Sequence, residues 1–349
     1  MELNEEIKKL EDFIKSYPGP SVYFGDSEVA NDSVEQENKV NYQLLADAEA
    51  RLSLLKKKLS EEGYNENMYL ITQIQKYMNE EEMKREHDKN SFWPSETETS
   101  LFDIYHKWIG TPPTNPIEAE KLMVFTAGKM IEESLVGTLT KMGIVKEMGK
   151  DEQVRVEMTR EGIPVTGYID AVFTSGNPLE VKSFYGDYQL RELRAGKPRE
   201  SYLKQLAIYM DFLGADKGKL VYIERGTGEM FEFTLEKGAG LQFKCMNVEF
   251  DLTDTYQKWS RLYHDHIIPK IEPTPEHKYK YDIASMDWNK VSKADISKAR
   301  NGHKVIGDWQ VLYSPYKNLI IEREGTHLGY NDKEMELIKS LTKGYSSKK

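Results

Sequence analysis

The chain has 349 residues, 39% of them hydrophobic, and carries 48 Lys and Arg against 58 Asp and Glu for a formal net charge of −10. It is long enough to bury a substantial core, while the lack of any apolar run approaching a membrane span and the polar start Met1-Glu-Leu-Asn-Glu-Glu point to a soluble, intracellular protein with no membrane partner. A single cysteine, Cys245, excludes an internal disulfide framework and a multi-thiolate metal site.

The acidic excess is uneven. Residues 1–90 hold 12 basic and 20 acidic side chains, and the remainder holds 36 and 38. A local basic groove in the longer part is therefore compatible with the overall charge.

Leu3, Ile7, Leu10 and Ile14 recur at helical spacing and predict a short amphipathic helix that stops before Pro18-Gly19-Pro20. Leu45, Ala48, Leu52, Leu55 and Leu59 form a second apolar stripe that fits a helical hairpin or short coiled coil. A third helical segment, Glu66 to Glu86, carries Leu70, Ile71, Ile74, Tyr77 and Met78. Residues 1–90 thus read as a helical extension, either packed on its own domain or serving as a partner surface or a cap.

Phe92-Trp93-Pro94-Ser95 marks a boundary, and Leu101 to Ile109 reads as a helix. A longer helix, Ile117 to Met142, places Gly128 one turn before the acidic pair Glu132-Glu133. Val154 to Met158 reads as a strand, and Glu161-Gly162 turns the chain into the next one.

Val165 to Phe173 and Leu179 to Phe184 are rich in β-branched and aromatic residues, with the turn signal Ser175-Gly-Asn-Pro178 between them. The two runs predict an antiparallel hairpin that folds Asp170 back beside Glu180. Because strand side chains alternate, Glu180 and Lys182 share a face while Val181 enters the core. Carboxylate oxygens suit Mg²⁺ or Mn²⁺, and an ammonium beside them can position water or offset charge on a phosphate. A surface hairpin with a salt bridge has the same local pattern.

Gln189 to Arg199 reads as a loop whose Arg191, Arg194, Lys197 and Arg199 are candidates for phosphate contacts. Ser201 to Phe212 reads as an amphipathic helix with Gln205 and Tyr209 one turn apart. Lys219 to Glu224 and Met230 to Leu235 are predicted strands around Gly226-Thr-Gly228, and Asp251 to Ile268 a helix ended by Pro269. His264-x-His266 would point its rings in different directions, which disfavours zinc. No Gly-x4-Gly-Lys-Ser/Thr loop is present, so ATP-driven unwinding would need another protein.

The order helix acid, strand Asp, strand Glu-x-Lys, helix Gln-x3-Tyr resembles the RecB-like branch of the PD-(D/E)XK nuclease superfamily, over roughly residues 91–325. The resemblance implies an α/β restriction-endonuclease-like core, a mixed central sheet flanked by helices, behind the helical extension and ahead of a C-terminal helix and slightly basic tail at 326–349. It also implies that Glu132, Asp170 and Glu180 bind Mg²⁺ or Mn²⁺, that Lys182 is catalytic, and that Gln205 and Tyr209 form the family's Gln-x3-Tyr motif. Glu132 stands where the family usually has a metal-binding His. A role for Gln205 in orienting Lys182 or a substrate phosphate follows, whereas Tyr209 fits the core equally well.

Asp308 to Ile320 resembles the C-terminal segment of iron-sulfur members, with Val311, Ser314 and Ile320 at three cysteine positions and Ser100 at the fourth. No iron-sulfur cluster is expected. Instead, apolar packing of Trp309, Val311, Tyr313 and Ile320 would pin the segment, although an ordinary strand-turn-strand also fits. The function implied is a divalent-metal-dependent deoxyribonuclease, an exonuclease on single-stranded or end-processed DNA. The alternative is a nuclease fold kept as a DNA-binding or assembly module, with residues 1–90 docking a helicase, recombinase or replication protein.

Overall fold

A computed structural model describes residues 7–12, 14, 73, 74, 76, 77, 89–115, 119–146 and 153–345. The chain divides into two compact units, Met1–Glu82 and Met83–Lys349. In the first, residues 7–12 and 14 are helical, in the register expected from Leu3 to Ile14, and so are residues 73, 74, 76 and 77. The stripe from Leu45 to Leu59 lies outside the described residues.

The second unit opens with a 3-10 turn, Pro94–Glu96, followed by helices α1 (Leu101–Trp108) and α2 (Ala119–Lys141). Strands β1 (Val154–Arg160) and β2 (Ile163–Ile169) pair antiparallel as a separate two-stranded ribbon. Glu161 and Gly162 between them have φ of 48° and 76°, the left-handed pair that a tight hairpin turn requires.

A six-stranded sheet follows, ordered β3 (Ala171–Val172), β4 (Pro178–Phe184), β5 (Lys217–Glu224), β6 (Met230–Lys237), β7 (Gln242–Cys245) and β8 (Val248–Asp251). Helices α3 (Asp187–Arg194) and α4 (Glu200–Leu213) cross over from β4 to β5, which pair parallel, while the other neighbours are antiparallel. This is the expected α/β architecture, a mixed central sheet flanked by helices.

The register Glu180↔Leu220 and Lys182↔Tyr222 sorts side chains between two layers. Leu179 and Val181 pack against Leu135, Val136 and Leu139 of α2, whereas Leu220 and Tyr222 pack with Leu203 and Leu206 of α4. Alternation thus turns Glu180 and Lys182 toward α4.

The predicted hairpin needs correction. Only Ala171 and Val172 pair with Leu179 and Pro178, and the upstream strand ends at Ile169 because its residues pair with β1. Asp170 sits at the bend between the ribbon and the main sheet. Its Oδ2 accepts a hydrogen bond from Val181 N–H at 2.7 Å, replacing a strand carbonyl as the partner of that buried amide.

The predicted helix Asp251–Ile268 starts at its N-cap, Asp251, whose side chain accepts from Thr253 N–H. Helix α5 (Leu252–Leu262) then gives way to a π turn over Tyr263–Ile267. The C-terminal third adds α6 (Lys293–Arg300), α7 (Trp309–Tyr313), α8 (Lys317–Arg323) and α9 (Asp332–Leu341). None of the described helices is long and apolar enough to cross a membrane.

The Asp308–Ile320 segment is two short helices, not strand-turn-strand, and the extended Ser314 separates them. Val311 and Ile320 pack with Phe102, Tyr279 and Tyr316 as expected. Trp309 and Tyr313 do not, being 64% and 66% exposed, because successive turns of α7 carry both to its outer face. Ser100, Val311, Ser314 and Ile320 nevertheless converge on one cavity of about 10 Å³, room for a single water. Ser314 Oγ donates to Asp103 Oδ1 at 2.7 Å, and Asp103 N–H donates to Ser100 Oγ at 3.1 Å.

Candidate active site

Lys182 Nζ is in ion-pair contact with Glu180 Oε1, and 5.2 Å from the ring centroid of Tyr202 on α4. Glu180 is completely buried; its Oε1 meets the Lys182 ammonium, while its Oε2 has no hydrogen-bond partner among the described residues. A fully buried carboxylate normally collects donors, so this one stands out.

Asp170 lies across from Glu180, as the register Ala171↔Leu179 extrapolated by one residue requires. Burial first, then the Glu180 charge, pushes the Asp170 carboxyl well above the ordinary range. Burial raises Glu180 as well, and Lys182 works against it. Burial would pull the Lys182 ammonium down, but Glu180 and Asp170 outweigh it and hold the group above its ordinary value. Two carboxylates against one ammonium leave a negative excess in a desolvated place.

Glu132 reaches this neighbourhood from α2, and its charge raises both Asp170 and Glu180. A Cβ on Gly128 would stand 3.1 Å from Ser183 Oγ, so the missing side chain permits close approach of α2 to β4. Glu132 Oε1 itself accepts from Gln153 Nε2 at 3.1 Å. Its neighbour Glu133 is exposed and pairs with Lys129 at 3.8 Å. Among the described residues, no three His, Cys, Asp or Glu are gathered as a ready cation cage. The donor chemistry still fits a hard divalent cation: all three acids offer oxygen, and Glu180 has unclaimed lone pairs.

Gln205 and Tyr209 are both buried on α4, with Gln205 Nε2 donating to Tyr209 Oη at 3.1 Å. The Gln205 amide nitrogen thus joins the two members of the motif to each other. The Tyr209 ring packs with Val156, Ile169 and Val172, joining the ribbon to α4. Burial and then the Glu180 charge push its phenol upward.

The predicted basic loop is helix α3 up to Arg194. Gln189 and Leu193, one turn apart, face inward and anchor it. Arg191 is exposed, Arg194 is held by Glu229 at 2.6 Å, and Lys197 lies 4.0 Å from Glu192. Arg199 Nε donates to Gln189 Oε1 at 2.6 Å, and its guanidinium lies 5.9 Å from the Tyr202 ring centroid. Tyr202 thus carries Arg199 as well as Lys182. It was not among the sequence candidates, although it stands three residues before Gln205 on the face that meets β4.

No family model matches the sequence, and no curated protein does. Among solved structures, the chain is similar to the crystal structure of SSO0001 at 16% identity and TM-score 0.39, over 59% of this chain and 89% of that one. It is also similar to LHK-Exo in complex with dAMP, at 15% identity and TM-score 0.35, over 52% and 90%. The alkaline exonuclease LHK-Exo from Laribacter hongkongensis matches at 16% identity and TM-score 0.31 over the same shares.

Proposed function

We propose that this chain is a divalent-metal-dependent deoxyribonuclease of the RecB-like branch, an exonuclease that hydrolyses phosphodiesters in single-stranded or end-processed DNA. The observation that carries this reading is the pair of buried carboxylates Asp170 and Glu180 with the half-buried Lys182 ammonium on Glu180 Oε1, which leaves Glu180 Oε2 without a donor among the described residues.

Glu132, Asp170 and Glu180 would hold Mg²⁺ or Mn²⁺, which when bound supplies phosphate polarisation and a water of lowered pKa. Lys182 keeps its proton and offers a fixed positive charge where a phosphate gains negative charge in the transition state. Tyr202 and Glu180 hold that ammonium from two sides, so little reorganisation is needed when a substrate arrives. Arg199, on the same ring, adds a second cation for the strand's backbone. Tyr209 and Gln205 close the floor of the site against water.

Labelled DNA incubated with Mg²⁺ or Mn²⁺ tests the reading. Wild type degrades the strand from an end, and Asp170→Ala and Lys182→Ala do not; degradation that persists in both variants would falsify the assignment. The engagement of Glu132 by Gln153 favours a second reading, a fold retained as a DNA-binding or assembly module. Binding without cleavage under either metal is its signature.

A further inference from the structure

We propose that Tyr185 and Tyr188, with Arg191, form a stacking platform for unpaired bases, so that the site selects single-stranded DNA. This deepens the nuclease reading and rests on it.

Tyr185 and Tyr188 are 77% and 69% exposed, among the barest large side chains of the described residues. Isolated exposed aromatics are ordinary; these two occupy one fixed turn at the end of the strand that carries Glu180 and Lys182. Tyr185 follows Phe184 directly, and Gly186, with φ of 112°, turns the chain into α3. A Cβ built on Gly226 would meet the Tyr185 ring at 3.6 Å, so that ring rests over the neighbouring turn and leaves its other face open. Arg225 N–H donates to Phe184 carbonyl oxygen at 2.9 Å, which ties the two turns together.

On α3, Tyr188 and Arg191 are three residues apart and therefore neighbours on the outer face, opposite the buried Gln189 and Leu193. Arg191 makes no ion pair or side-chain hydrogen bond among the described residues, unlike Arg194 and Arg199. Asp187 supplies an acid in the first turn, so the face is mixed in charge, and the guanidinium is its uncommitted member.

A chain of contacts connects α3 to the site. Lys182 lies against Tyr202, Arg199 lies against the same ring, and Gln189 on the inner side of α3 holds Arg199. A strand whose phosphate reaches Lys182 and that continues over the N-terminal end of α3 would meet the two open rings. Every base has a π-face that can stack on tyrosine, but a duplex keeps those faces to itself. Rings with open faces beside a phosphate-binding cation therefore favour an unpaired strand over a paired one.

The test measures affinity by fluorescence anisotropy in EDTA, where no hydrolysis occurs, with labelled oligothymidylate and a blunt duplex. Tyr185→Ala/Tyr188→Ala should weaken single-strand binding roughly tenfold or more and leave duplex binding unchanged, while Tyr185→Phe/Tyr188→Phe retains wild-type affinity. In parallel, wild type is irradiated on a strand containing 5-iodouracil and the adducts are mapped by mass spectrometry, with Tyr185 or Tyr188 expected. Unchanged single-strand affinity in the alanine variant, equal loss for duplex, or adducts confined to other residues would overturn the platform. Hydrolysis that still depends on Asp170 would then leave the nuclease reading standing. Stacking on these rings without any hydrolysis would sink that reading and keep the platform.

Discussion

Asp103 and Glu180 are both carboxylates buried in the second unit, yet Asp103 accepts from the neutral hydroxyl of Ser314 whereas Glu180 meets the charged ammonium of Lys182 on one oxygen and no donor among the described residues on the other. Burial raises the proton affinity of each, and for Asp103 the Ser314 hydroxyl works against that rise. Asp103 joins α1 to the segment before α8, and its surroundings are complete. Glu180 shares its space with Asp170 and depends on one ammonium. A buried acid met by a neutral hydroxyl holds structure together; one crowded by a second carboxylate and offset by a single ammonium is poised for an incoming cation.

The sharpest break between the two should appear in turnover. Glu180→Gln is expected to lower the initial rate on labelled single-stranded DNA by about a thousandfold, the scale for losing a main electrostatic element of a site. Asp103→Asn should leave that rate near wild type, and equal losses in both would erase the distinction.

Stability should divide them the other way. Ser314→Ala removes the donor from buried Asp103 and should cost about 1–3 kcal/mol in urea unfolding. Glu180→Gln relieves repulsion with Asp170 and should gain about 1 kcal/mol in the same assay, as functional sites are often held at the expense of stability. A loss on Glu180→Gln would mean that the carboxylate is structural after all.

Glu96 supplies a third case, a buried acid contacted by Lys89 and, at 3.3 Å, by Lys107. Burial is the largest influence on Lys89 and lowers its pKa to about 8, against 10.5 for an ordinary lysine, even with Glu96 opposing it. Between those values the unfolded chain binds more protons than the folded one, so this group makes stability rise with pH across that window. Urea midpoints measured from pH 8 upward should show the rise in wild type and a reduced slope in Lys89→Met.

The facing of Glu180 and Lys182 was legible because strand alternation is a local property. Glu180 and Lys182 share a face and Val181 turns into the core as alternation implied, whereas Asp170 meets Val181 N–H from a bend and not from a continuous hairpin strand. The break in the strand at Asp170 was not legible, since β-favouring residues continue on both sides and only the partner strand decides which sheet they join. Helix α3 was hidden by its shortness and polarity: Gln189 and Leu193 are a single inward pair. The β7–β8 hairpin escaped notice although Gln242 to Cys245 alternates, because four residues are too few to outweigh a turn. At α7 aromatic content suggested burial, and helical geometry placed Trp309 and Tyr313 outside. The partner of a long polar side chain was equally unreadable, as with Glu132 and Gln153.

The bend at Asp170 has a mechanical consequence. The β1–β2 ribbon is gripped at its other side by Phe92, which exchanges backbone hydrogen bonds with Pro164 and Thr166 and stacks on Trp259 at 5.2 Å. The ribbon is therefore a lever arm with a clamped flank and Asp170 for its fulcrum, and any tilt of it would swing that carboxylate relative to Glu180.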